Sequence, residues 1–312
     1  MTARRVHAAT GNAARESELL TVSLAVCSRN RPQLLAETVA SILDGEQIPA
    51  ELIIVDQSDE PHAELSRLEP ATECQIHYLW VQPRGVAAAR NMALSSARHE
   101  ICVLTDDDIL VSPDWLSNLV QAQMQAGPRA VVTGQVRSAP EDSGERTPSL
   151  KEDAHPVVYE GRINDDVLYT GNMAIFRSTF EDVGGFDECL GPGTKYPAAE
   201  DNDLGFRLLE QGYRIHYVPE AIVYHRSWRS ERDFLALKWR YGVGRGAYYA
   251  KHASLRDRYM LARMTRDIGF HVLLFVGHLR REKRRAHGDA LLTLGILRGA
   301  VGWWLEHIRG GK

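Results

Sequence analysis

Cysteine is scarce in this chain. There are four in 312 residues, Cys27, Cys74, Cys102 and Cys189, and no two have the spacing of a metal-binding pair. A cysteine metal site is thereby excluded. Cys27 and Cys102 lie in apolar, strand-like segments, so buried free thiols in a reducing cytosol are expected. Long hydrophobic runs are also missing: no uncharged stretch reaches the ~18 residues of a spanning helix. No apolar run follows Arg4 and Arg5, so no secretory signal is expected. Lysine is absent before Lys151, glycine is absent from the turn at 28–32, and there is no internal repeat or low-complexity tract.

What is present is the composition of a globular protein, 44% hydrophobic and 25% charged, long enough for one large or two ordinary domains. The net charge of −4 hides a split. From Arg226 onward there are 19 Lys and Arg against 7 Asp and Glu, and before it 18 against 34. Two parts so unlike in charge are expected to meet different partners.

The centre of the chain is Ile101–Asp108, Ile-Cys-Val-Leu-Thr-Asp-Asp-Asp. The first five residues form a short buried strand, and three carboxylates close it. Adjacent negative charges at a strand end are costly unless neutralised, and hard oxygen ligands suit Mg2+ or Mn2+. The plainer alternative is an acidic turn that caps the next helix. A cap needs only one Asp.

Around this stretch, strands alternate with helices. Strands are expected at 21–27, 51–56, 75–81, 101–105, 129–136, 167–177, 213–218 and 221–225. Helices are expected from Pro32 to about Asp44, over 85–98, from Ser112-Pro113-Asp114 to Gly127, briefly after a Ser178/Glu181 capping box, and over 200–211. The alternation predicts an α/β fold with a mostly parallel, Rossmann-like sheet flanked by helices. A disordered leader is expected over 1–18, a catalytic domain over 19–228 and a helical extension over 229–312. Residues 138–166 read as a loop excursion over a site.

Eight landmarks, in order between Leu20 and His225, resemble the family 2 glycosyltransferases and their GT-A fold. They are Cys-Ser-Arg-Asn-Arg (27–31), Ile-Val-Asp (54–56), Arg-Gly-Val-Ala-Ala-Ala-Arg-Asn (84–91), Leu-Thr-Asp-Asp-Asp (104–108), Gly-Asn-Met-Ala-Ile-Phe-Arg (171–177), Gly-Gly-Phe-Asp-Glu (184–188), Glu-Asp-Asn-Asp-Leu (200–204) and Val-Tyr-His (223–225). The chain departs from the family at two of them. Cys27-Ser28-Arg29-Asn30 stands where Thr-Tyr-Asn is common, and Asp56-Gln57-Ser58-Asp59 where Asp-Asp-Gly-Ser is common. Both belong to the nucleotide pocket.

The resemblance implies transfer of a sugar from a nucleotide diphosphate sugar, with a divalent metal, Mg2+ or Mn2+, stabilising the leaving diphosphate. It implies Asp108 and His225 at the metal, and Asp106 beside the ribose. Asp107 is either a support or a further ligand. Asn30, Asp56, Arg90, Asp106 and Asp107 are expected around the donor nucleotide. Asp201 is expected to be the general base, with Glu200 orienting the acceptor or its loop, and Asp203 a cap or support. One base without a carboxylate nucleophile implies inversion at the anomeric carbon.

Two other classes compete. A nucleotidyltransferase requires a glycine-rich basic loop after its first strand, which is absent, and an Asp-x-Asp phosphatase requires a lysine that residues 1–150 do not supply. A non-catalytic binding module is expected to have lost the metal Asp or the base, and both are present.

The tail interleaves Trp228, Phe234, Trp239, Tyr241, Tyr248 and Tyr249 with basic residues. It then presents apolar runs at 268–279 and 290–305 around Arg280-Arg281-Glu282-Lys283-Arg284-Arg285. This pattern predicts a peripheral contact of 229–312 with the cytoplasmic face of a membrane, near a saccharide, lipid-linked or other hydroxyl acceptor. Helix packing or an oligomer is the competing expectation. Nucleic acid is not expected, because the acidic catalytic part repels phosphates.

Overall fold

The computed structural model describes residues 18–67, 74–139, 150–226, 233–280 and 282–309. The expected leader, apart from Glu18, lies outside them, as do the expected boundary at 228/229, Trp228, and residues 140–149 of the loop excursion.

Four parallel strands make the first half of the sheet: β3 (Gln75–Trp80), β2 (Gln47–Asp56), β1 (Glu18–Ser28) and β4 (Ile101–Asp106), in that spatial order. β1 shows why they form. Val22, Leu24 and Val26 enter one core, and Ala25 and Cys27 enter the other. A strand apolar on both sides belongs between two layers of helix. Helices α1 (Pro32–Leu43) and α3 (Trp115–Ala126) cover one face, and α2 (Val86–Ser96), α4 (Arg177–Val183) and α5 (Glu200–Glu210) the other.

The second half is mixed. β8 (Asn172–Phe176) runs antiparallel to both β4 and β6 (Ala130–Ser138). β9 (Arg214–His225) runs parallel to β6. The short β5 (Ile109–Val111) and β7 (Val157–Tyr159) pair antiparallel with β9. The fold is thus the mostly parallel, mixed α/β architecture that the alternation predicts.

Three local expectations are corrected. β8 begins at Asn172 and not at Val167, because the chain must turn at Tyr169–Asn172 to clear Asp106; a Cβ on Gly171 would sit 2.4 Å from Asp106 Oδ2. The segments 213–218 and 221–225 are one strand, in which residues 219–221 slip out of register against β6. Pro219 has no N–H to offer there, and buried Asn172 binds the Gln135 and Ala221 carbonyls at 3.0 and 2.9 Å. Ser178 caps nothing: α4 starts at Arg177 without a side-chain cap.

The tail folds as three helices, α6 (Asp233–His252), α7 (Tyr259–His278) and α8 (Lys283–Arg309). α6 and α8 meet through Gly242 and Gly246 on one and Gly295 and Gly299 on the other, spaced four apart. A Cβ on Gly246 or Gly299 would lie 2.0 Å from a carbonyl of the partner helix. Such spacing lets backbones approach closely.

Candidate active site

Parallel pairing places Ser28 beside Asp56, and Cys27 beside Asp106. The carboxyl ends of the inner strands therefore gather Asn30, Asp56 and Asp106 on one edge, where the strand order reverses and open α/β sheets bind ligands. The chain then turns through Asp107 and Asp108 into β5, and pairing of Ile109 with His225 brings the far end of β9 to the same point. Arg226 donates its N–H to the Asp108 carbonyl at 2.9 Å. β5 is only three residues long, which is why sequence patterning gave no sign of it.

Asn30, Arg90, Asp106, Asp108, Glu200, Asp201 and His225 line one cleft of about 1510 Å3 between the sheet and the helical extension. Asp107 lies beneath it, fully buried, taking a hydrogen bond from Ser28 Oγ at 2.5 Å. Burial pushes its carboxyl up to about 7, against the pull of Arg31. Asp56 is buried too, and accepts the Tyr78 hydroxyl at 2.5 Å and the Ser58 N–H at 2.9 Å.

Arg31 was given no role by the sequence reading, and it stands at the centre of the acidic group. Its guanidinium reaches Asp107 at 2.5 Å and Asp108 at 2.9 Å. A cation in the turn after β1, facing three consecutive carboxylates, is a signal only once the sheet pairs β1 with β4. Gln57 was likewise unassigned. It accepts the Arg84 and Gly85 N–H groups and donates to the Gly85 carbonyl, all at 3.1 Å. A carboxylate could not make that last bond. Gly85 has φ +99°, open to glycine at little cost.

Do these residues fit a divalent cation? His225 Nε2 and Asp108 Oδ1 are 3.7 Å apart, too far for a hydrogen bond. That separation suits two ligands of one ion, each at roughly 2.1 Å. His225 Nδ1 is buried without a hydrogen-bond partner among the described residues. No three His, Cys, Asp or Glu side chains converge into a closed metal cage among the described residues. The pair fits a cation that draws its other ligands from a phosphate and water.

Across the cleft, Arg90 joins the two halves of the site. It is buried, donates to Asp106 at 2.6 Å and to Glu200 at 3.1 Å, and lies over the Phe186 ring. Asn30 adopts φ +55°, tolerable for Asn, and exchanges hydrogen bonds with Asp59. Asp201 follows Ala199, which holds a left-handed φ of +72° at the start of α5. Such a backbone costs about 1 kcal/mol or more and persists where surrounding packing imposes it. Burial pushes the Asp201 carboxyl up to about 7, with the Glu200 charge adding to it and Arg90 opposing. Burial raises Glu200 as well, against Arg90.

Asp203 faces away from the cleft. It bonds Arg207 at 2.8 Å, Lys251 at 2.6 Å and His252 at 2.7 Å, so it ties α5 to the end of α6. Burial opposes its ionisation, but the His252 hydrogen bond and the two cations outweigh it and hold the carboxyl well below its usual range.

A mixed α/β sheet with an acidic cleft at its strand ends, lined also by Glu200 and Asp201 of α5, matches a glycosyltransferase of the GT-A fold. Residues 23–184 match the family description "Glycosyl transferase family 2", and the chain belongs to that family. It is 28% identical to the succinoglycan biosynthesis protein ExoM of Rhizobium meliloti (strain 1021), over 92% of this chain and 94% of that one. It is also 28% identical to a glucosyl-dolichyl phosphate glucuronosyltransferase of Haloferax volcanii, over 70% of this chain and 73% of the relative. Among solved structures, a mannosyltransferase from Pyrobaculum calidifontis in complex with GDP-Man and Mn2+ superposes with a TM-score of 0.60 at 19% identity, covering 91% of this chain and 87% of that one. S. aureus TarS 1–349 with UDP-GlcNAc gives 0.54 at 14% identity, covering 94% and 93%. These likenesses establish the fold.

Proposed function

We propose that this glycosyltransferase moves a sugar from a nucleotide diphosphate sugar to an acceptor hydroxyl by direct displacement, with inversion and with Asp201 as the general base. The observation that carries the reading is one cleft lined both by Asp108 and His225, 3.7 Å apart, and by Asp201, a carboxylate raised to about 7. Asp108 and His225 would hold Mg2+ or Mn2+, which supplies charge neutralisation for the leaving diphosphate. Asp106 takes the ribose. Asp56 offers the base the lone pairs that Tyr78 and Ser58 leave free, and Asn30 and Asp107 shape the same pocket.

A base poised near neutrality is ionised at working pH and still accepts a proton readily. Asp201 Oδ1 accepts the Asn202 N–H, which leaves Oδ2 to take the acceptor proton. Arg90 and Glu200 hold α5 at a set distance from Asp106 and so fix where that oxygen stands. The relatives act in succinoglycan biosynthesis and on a dolichyl phosphate glucoside by name, which supports a saccharide or lipid-linked acceptor. Residues 229–312 are then a peripheral contact with the cytoplasmic face of a membrane.

Calorimetric titration of UDP, GDP and TDP, with and without Mn2+, tests the donor side. One nucleotide is expected to bind in a Mn2+-dependent way, and Asp108→Ala to abolish that dependence in a folded protein. Equal affinity in both proteins would overturn the assignment.

A further inference from the structure

The helical extension carries apolar surface that the described residues leave exposed. On α7, Phe270, Leu273, Val276 and Leu279 are exposed three residues apart; on α8, Leu294, Leu297, Val301 and Trp304 follow at three- and four-residue spacing. The α8 set falls on one narrow face, and the α7 set spreads over about half of its helix, away from His271 and His278. Leu273 is 73% exposed and Trp304 62%, values foreign to core positions. The opposite sides are packed. His271 and His278 of α7 bond Asp289 of α8 at 3.1 and 2.9 Å, and Leu292 and Ile296 of α8 are buried. α7 and α8 pack on each other through these inner residues, and both exposed sets lie away from that contact.

Where these rows meet the turn, charge of one sign collects. Arg280, Lys283, Arg284 and Arg285 are all exposed. Of the nearby acids, Glu282 pairs with Arg285, and Asp289 is buried between the two histidines. No helix among the described residues is long and apolar enough to cross a membrane. Apolar rows of this kind, with a basic end and a tryptophan at the far end, suit a helix pair lying in an interface. The exposed basic cluster at one end of the rows matches anionic headgroups in charge.

We infer that the outer face of α7 and α8 seats the protein on an anionic lipid surface. The inference rests on the reading of a lipid-linked acceptor and specifies how that acceptor reaches the site. Lys238, Arg240 and Tyr241 of α6, with His271 of α7 and Leu292 of α8, also line the catalytic cleft. The helices that carry the docking face therefore wall the site.

Flotation of the full chain with vesicles of phosphatidylglycerol and phosphatidylcholine, and with phosphatidylcholine alone, at low and high salt, tests this. The wild type is expected to float with the anionic vesicles at low salt and to be released by high salt. Leu273→Glu with Val301→Glu, and separately Arg280→Glu with Lys283→Glu, should each reduce the bound fraction by roughly tenfold or more. All three proteins should melt alike and bind nucleoside diphosphate with Mn2+ alike. A wild type that stays soluble with anionic vesicles, or variants that float as well as wild type, overturns the inference while leaving the transferase reading intact. A dimer dissolved by Leu273→Glu with Val301→Glu, without vesicle binding, overturns it in favour of a second copy. Failure of the wild type to bind any nucleotide overturns the transferase reading instead, and the salt dependence of flotation is read independently of it.

Discussion

Arg31 and Asp201 are the residues on which the site's electrostatics turn. Arg31 lies within 2.9 Å of both Asp107 and Asp108 and supplies positive charge where two acids are buried. Arg31→Gln removes that charge from a partly exposed pair, a loss of about 2 kcal/mol, less than for a fully enclosed one. The variant's melting temperature is expected to fall without Mn2+, and Mn2+ with nucleoside diphosphate should raise it by more than in wild type. Identical melting of the two proteins in both conditions would remove Arg31 from this role. Asp201→Asn keeps size and hydrogen bonding but takes no proton. Turnover should fall by roughly 10²–10⁴ with donor affinity unchanged. The wild-type rate should lose activity as pH drops below about 7, because protonation disables a base whose carboxyl is raised to about 7. An acid limb near pH 4 would show that Asp201 is not the group titrating.

At the scale of elements, α6 supports the loop that leads to Asp201, the proposed base. Gly244 packs on Ala198, two residues before Glu200, and a Cβ there would lie 2.6 Å from the Ala198 Cβ. Gly244→Ala is expected to shift that loop. A displacement of about an ångström costs roughly 10²-fold in turnover, and Mn2+-dependent nucleotide binding on the far wall should be retained. Equal loss of both would mean that the substitution unfolds the domain. Gly244 was visible in the sequence, but nothing there indicated that Ala198 would meet it. The strand ends were legible, because an apolar run that stops at a carboxylate marks a buried strand opening onto a site. Asp106 and Asp108 are legible in that way, whereas Glu200 and Asp201 stand at a helix start and their roles rest on the family resemblance. The contact between Asp108 and His225 depends on β5, whose three residues are too few to show a period. Arg31 was hidden for a related reason: its partners lie more than seventy positions away. The segments 213–218 and 221–225 read as two strands, where Asn172 bridges a single bent one.

The whole molecule separates its charges by task. The acidic sheet end holds the cleft's carboxylates, and the basic extension closes the cleft's other side and carries the outward apolar rows. Lys251 and His252 at the end of α6 meet Asp203 on α5, so the extension is fastened to the helix that carries Glu200 and Asp201. The proposed single displacement with Asp201 as the base predicts one stereochemical course. Proton NMR of the transfer product, made with the nucleotide sugar that a screen for Mn2+-dependent release of nucleoside diphosphate selects, reads it directly. The new glycosidic bond is expected to have the anomeric configuration opposite to that of the donor; a product that keeps the donor's configuration would contradict single displacement with Asp201 as the base.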